Sequence, residues 1–88
     1  MLTITPGAYA RLKQQLTDRP ADVAVRMIVG DGRIKFRRGT QRSGDAVFQH
    51  EGRPVLLVRQ GTANRIANRT LDALETDDGK KLRLRRAK

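Results

Sequence analysis

Two short apolar runs, Val47-Phe48 and Val55-Leu56-Leu57-Val58, are separated by Glu51-Gly52-Arg53-Pro54. This arrangement constrains the fold more than any other stretch. Runs this short are strand-sized, and a Gly/Pro-punctuated turn between them brings them together as neighbours. Over Asp45–His50, Val47 is expected on one face and Ala46 and Phe48 on the other. Val55–Val58 is apolar at every position, which is the pattern of a strand covered on both sides. Gly61-Thr62 interrupts it, and Thr62 is a suitable cap for a short helix over Ala63–Arg69 with Ile66 and Ala67 turned inward. Leu71 and Ala73 then open another extended segment. Gly44–Leu74 therefore reads as the structural middle of the chain, not as an active site.

The flanking segments follow the same logic. Leu2-Thr3-Ile4 alternates as a short strand or lead-in. Thr5-Pro6 starts a helix, since Thr is a favoured N-cap and Pro fits the first helical position. Ala8, Tyr9, Leu12 and Leu16 recur at helical spacing, which predicts a helix from about Pro6 to Thr17, ended before Pro20. Val23–Val29 alternates as a strand, and Gly30-Asp31-Gly32 is turn chemistry. Arg33-Ile34-Lys35-Phe36-Arg37 then alternates strictly, with Ile34 and Phe36 inward and the cations outward. Asp77-Asp78-Gly79 signals a further turn, and Lys81-Leu82-Arg83-Leu84-Arg85 closes the chain as a strand with an apolar and a basic face. The expected architecture is mainly β with two short α-helices, about six strands, compact and mostly antiparallel. At 88 residues it is a single domain over 1–88, with residues 86–88 expected to fray.

Composition narrows the function. There is no cysteine, which excludes disulfides, thiolate catalysis and any Cys-ligated zinc or iron–sulfur centre. It also suits a cytoplasmic location, which is the expectation here. No apolar run reaches the roughly 20 residues of a membrane span, and the first residues lack the pattern of a secretory leader. A core with 3% aromatic residues must be built mainly from Val, Ile, Leu and Ala. A domain of this size is marginally stable, so self-association is plausible.

Catalytic constellations are thin. His50 is the single histidine and has no second His or Cys to join it at a metal. Ser43 is the single serine, and only His50 could serve as its base. Asp72, Glu75, Asp77 and Asp78 are close in sequence, but the turn accounts for the last two. Gly30-x-Gly32 lacks the third glycine and following helix of a dinucleotide loop. The chain reads as a non-enzyme with no cofactor.

Charge is what remains. With 19 Lys+Arg against 9 Asp+Glu the net charge is +10, enough to attract polyanions at long range. Arg33, Lys35, Arg37, Arg38 and Arg42 form one group; Lys80, Lys81, Arg83, Arg85 and Arg86 form another. If the two strands share a sheet and a face, they make one cationic patch that contacts phosphates with little sequence preference. Exposed aromatics for base stacking are nearly absent, so such binding would be of the backbone type.

The ordered spacings also resemble a known family. Leu2-Thr3-Ile4-Thr5 before a helix carrying Ala10 and Leu12 is one part of the likeness. Val25-Arg26-Met27, Gly44-Asp45-x-Val47-Phe48, Gly52-x-Pro54-Val55-Leu56-Leu57-Val58 and Thr70-Leu71-Asp72 are the others. Together they resemble the HesB-like family of A-type (IscA-like) iron–sulfur cluster carriers. The resemblance implies a compact, β-rich HesB-like domain. It also implies one cysteine in a loop after the Arg-containing strand and a Cys-Gly-Cys pair near the C-terminus. Here those regions read Gly30-Asp31-Gly32-Arg33-Ile34 and a basic strand, and Arg59 stands where an Asp is usual. No metal ligand carries over.

Two functional expectations follow. The first is a non-catalytic, cysteine-free relative of iron–sulfur assembly scaffolds, acting through an unidentified protein partner or as a homo-oligomer. The alternative is a small basic nucleic-acid-associated protein that binds phosphate backbone through Arg33, Lys35, Arg37, Arg38, Arg42, Lys81, Arg83 and Arg85. Neither involves a membrane.

Overall fold

Chain order and turn chemistry produce the elements, and long-range pairing sorts them into two layers. The computed structural model describes residues 2–30, 33–77 and 79–86. The expected turns at Gly30-Asp31-Gly32 and Asp77-Asp78-Gly79, and the fray over 86–88, each include residues outside that set. Among the described residues the order is β1 (Thr3–Ile4), α1 (Pro6–Gln15), β2 (Val23–Val29), β3 (Ile34–Thr40), β4 (Asp45–His50), β5 (Arg53–Arg59), α2 (Gln60–Arg65), β6 (Arg69–Thr76) and β7 (Gly79–Arg86). One sheet has the order β3-β2-β5-β4 and the other β1-β6-β7. The pairs β2/β3, β4/β5 and β6/β7 are antiparallel hairpins, as the turns imply. The pairs β1/β6 and β2/β5 are parallel, so both sheets are mixed. Neither parallel pair has a local turn to announce it.

α1 begins where expected. Thr5 is extended, its hydroxyl oxygen accepts from the Ala8 N–H at 3.2 Å, and Pro6 occupies the first turn. The same hydroxyl donates to Asp72 Oδ1 at 3.0 Å, and the Thr5 N–H donates to the Leu71 carbonyl at 3.0 Å. Helix start and β6 are thus pinned together through one residue. Ala8, Leu12 and Leu16 are fully or almost fully buried, against Val25, Met27, Leu56, Val58 and Leu71. Each leucine removed from water contributes about 2 kcal/mol.

The β4–β5 hairpin carries two irregularities. His50 pairs with Arg53 across a two-residue turn in which Glu51 (φ 55°) and Gly52 (φ 78°) are both left-handed, the geometry that matches strand twist. Phe48 pairs with Leu56 and Gln49 with Pro54, leaving Val55 without a partner on β4. This bulge lets both Val55 and Leu56 reach the core. It also explains how Pro54 is tolerated in a strand with neighbours on both sides, because the β2 pairing begins only at Leu56.

The second helix departs from expectation. It spans Gln60–Arg65, not Ala63–Arg69, and its N-cap is Arg59, which makes no side-chain capping bond. A tertiary bond replaces the cap: the Gln60 N–H donates to the Gly44 carbonyl at 2.9 Å. Arg69 belongs to β6 because it pairs with Arg86. Ile66 is nevertheless buried, as its spacing predicted.

The outer face of the four-stranded sheet is held by one ion pair. β5 lies between β2 and β4, with Arg26 paired to Leu57 and Leu57 to Val47. The Arg26 guanidinium crosses β5 and meets Asp45 of β4 with both ends of its fork: Nη1 to Oδ1 at 2.8 Å and Nη2 to Oδ2 at 2.7 Å. Nη2 also donates to the Thr40 carbonyl at 3.2 Å, and Asp45 Oδ2 accepts from the Arg42 N–H at 2.8 Å. Leu57 and Ala24, on the face away from the main core, are fully buried. The Asp45 carboxylate is 2% exposed and the Arg26 side chain 11%. The hydrogen bonds from Arg26, with the Arg42 N–H and the nearby charge, outweigh burial and lower the Asp45 pKa from 3.8 to about 2. The same bond raises the pKa of Arg26.

Two outcomes follow from these contacts. Thr5→Ala should lose about 1–2 kcal/mol in urea denaturation while Thr5→Ser stays near wild type, since only the first removes the cap oxygen. Arg26→Met should cost about 3 kcal/mol near neutral pH by stranding a buried carboxylate. The contribution of Asp45 is fully present above pH 3.8 and is lost as pH falls toward 2. The stability gap between wild type and Asp45→Asn should therefore close over that interval. A gap independent of pH would show that the carboxylate charge is not what holds the strands.

Candidate functional site

The two expected cationic groups do not share a sheet. β3 and β7 are edge strands of different sheets, so the condition of a shared sheet is not met. Lys35 and Arg37 lie on the outer face of β3, opposite Ile28 and Arg26 of β2, and both are exposed. Arg38 has the parity of Phe36 and borders a shallow recess with Gln15 and Arg19. Arg33 precedes the strand and is exposed. On β7, Arg83 and Arg85 share one carboxylate: Asp72 Oδ2 is 3.2 Å from Arg85 Nε and 3.8 Å from Arg83 Nη2. Hydrogen bonds from Thr5 and the Ala73 N–H, then these two arginines, lower the Asp72 pKa. Lys81 is exposed on the same face, opposite Leu74, and the Lys80 side chain lies outside the described residues.

A different arginine set converges. Arg42 lies in the β3–β4 loop, Arg59 ends β5, Arg65 ends α2, Arg69 starts β6 and Arg86 ends β7. Three adjoining concavities link them. One of about 300 Å³ is lined by Arg26, Arg42 and Arg59 beside Asp45. The next, about 400 Å³, shares Gly44 and Arg59 with it and extends to Arg65. The third, also about 400 Å³, shares Arg65 and adds Asn68, Arg69 and Arg86. No consecutive run of sequence signals this groove. Chain ends of separate elements meet there because α2 is short and folds β5 directly back toward β6. Of the two expected cationic groups, Arg42 and Arg86 lie on it.

His50 and Tyr9 are partners across the fold. Their rings stack at 4.5 Å with an interplanar angle of 19°. His50 Nε2 is 3.3 Å from Glu51 Oε1, and Lys13 Nζ is 3.8 Å from Glu51 Oε2. Tyr9 also packs on the core edge, as its helical position implied. Ser43 lines the first concavity with Arg42 and Asp45, whereas His50 borders a separate recess with Lys13, so the geometry offers no serine–histidine pair. Among the described residues no three His, Cys, Asp or Glu side chains are gathered as a metal-binding group.

No protein family and no curated protein matches the chain by sequence. Solved structures do match by shape. Escherichia coli SufA, described as involved in biosynthesis of iron–sulfur clusters, superposes with a TM-score of 0.74 at 22% identity, over 97% of this chain and 84% of that one. IscA with a [2Fe-2S] cluster superposes with a TM-score of 0.66 at 17% identity, over 98% and 85%. Iron–sulfur clusters are held by thiolates, and this chain has no cysteine, so its residues do not fit that group. The chain resembles the A-type iron–sulfur carriers in fold, over nearly its whole length, without any of the cysteines the resemblance implies.

Proposed function

We propose that the protein is a non-catalytic binding module, a cysteine-free relative of iron–sulfur assembly scaffolds that works through contacts with another protein or with itself. The observation that carries this reading is a carrier-like fold spanning 97% of the chain on a sequence without a single thiol. The two carboxylates with shifted pKa values support it, because each is committed to holding strands together: Asp45 to Arg26, and Asp72 to Thr5, Arg83 and Arg85. Ile28 and Leu74, each 41% exposed on the outer faces of the two sheets, offer apolar contact points beside the cations of β3 and β7.

A second reading, phosphate-backbone binding, is favoured by Arg33, Lys35 and Arg37. They are exposed and make no ion pair among the described residues. Fold does not decide between these readings, since function depends on the site.

Anaerobic incubation with ferrous iron and sulfide, followed by desalting and metal analysis, tests the first reading. The expected product carries no stoichiometric iron or sulfide and shows no cluster absorption in the visible range. A stoichiometric cluster that survives desalting would overturn it.

A further inference from the structure

The groove lined by Arg42, Arg59, Arg65, Arg69 and Arg86 is built in a way that the fold alone does not require. Arg69 and Arg86 are directly opposite on neighbouring strands. Like charges in that position are destabilising. Arg26 and Arg37 are also directly opposite, but there Asp45 neutralises Arg26. No ion pair relieves Arg69 or Arg86 among the described residues. Among the described residues Asp45 is the single carboxylate lining any of the three concavities, and both its oxygens are already occupied by Arg26, with one also accepting from the Arg42 N–H. Among the described residues the groove thus concentrates guanidinium groups with no uncommitted carboxylate to meet them.

We propose that this groove binds the phosphodiester backbone of a single-stranded nucleic acid, which deepens the second reading above by naming a site other than the one that reading began from. Guanidinium forks match phosphate oxygens in pairs and are less strongly hydrated than ammonium groups. The continuity of the three concavities through Arg59 and Arg65 suits a linear polyanion better than a single small anion. No aromatic residue lines any of them, so there is no platform for base stacking and the groove reads charge, not sequence. A bound phosphate between Arg69 and Arg86 would relieve their repulsion, so binding and stability oppose each other at this pair.

Fluorescence anisotropy with short, unstructured, labelled RNA and DNA strands of one sequence tests this. If each of the five arginines meets a phosphate, log K falls against log salt with a slope of about −3.5. That is about a hundredfold loss of affinity between about 50 and 200 mM salt. Replacing Arg65 and Arg69 by Ala should cut the slope to about −2. Replacing Lys35 and Arg37 by Ala should leave the slope unchanged. The arm that binds more tightly, RNA or DNA, identifies the source of the backbone. Arg69→Gln adds a readout that a purely structural arginine would not give: weaker binding together with a melting temperature raised by about 2–4 °C at low salt. If the strand-face variant loses binding and the groove variant keeps it, the groove is overturned and the strand-face reading stands. If no strand binds at about 50 mM salt, both fall. Polyglutamate bound as tightly as nucleic acid would also overturn the proposal, in favour of an acidic protein partner.

Discussion

The Arg26–Asp45 bridge is the contact on which the four-stranded sheet depends. On its outer face Leu57 and Ala24 are fully buried although neither belongs to the main core cluster. The bridge resolves this by laying a long side chain across the central strand and tying both flanking strands to its far end. It also closes the β3–β4 loop, because Arg26 reaches the Thr40 carbonyl and Asp45 accepts the Arg42 N–H. A bidentate pair with every strong partner satisfied escapes much of the desolvation penalty that makes buried ion pairs poor stabilisers. The same pair sets one wall of the arginine groove.

The second sheet is tied to the first mainly through α1. Thr5 joins β1, the helix start and β6 within a few ångströms, and Asp72 gathers Thr5, Arg83 and Arg85. These two acid-centred knots commit Asp45 and Asp72 to structural contacts. The remaining positive charge falls on several elements. One share of it, Arg59, Arg65, Arg69 and Arg86, lies where β5, α2, β6 and β7 begin or end, apart from the exposed cations at β3.

Much of the fold was legible locally. The hairpins follow from Glu51-Gly52 and from strict alternation at Ile34-Lys35-Phe36-Arg37, and the first helix from Thr5-Pro6. What was hidden is what depends on distant partners. The parallel pairs β1/β6 and β2/β5 have no turn signature, so the sheets looked more antiparallel than they are and β3 and β7 could be imagined in one sheet. Thr62 looked like a helix cap, but the Gly44 carbonyl helps start α2 three residues earlier. Asp45 read as a strand residue because its partner is 19 positions away. Of the expected cations, Arg42 and Arg86 reached the groove, and Arg59, Arg65 and Arg69 join them by topology and not by any run in the chain. The absence of thiols, by contrast, could be read directly.

The central claim is that a carrier-like sheet is held from its outer face by one satisfied ion pair. A double-mutant cycle on Arg26→Met and Asp45→Asn, measured by urea denaturation near neutral pH, isolates that pair from the methylene packing of Arg26. The account predicts a coupling energy of about 2 kcal/mol or more, with the double variant more stable than additivity allows. A coupling near zero would contradict it and leave the burial of Leu57 and Ala24 to packing alone.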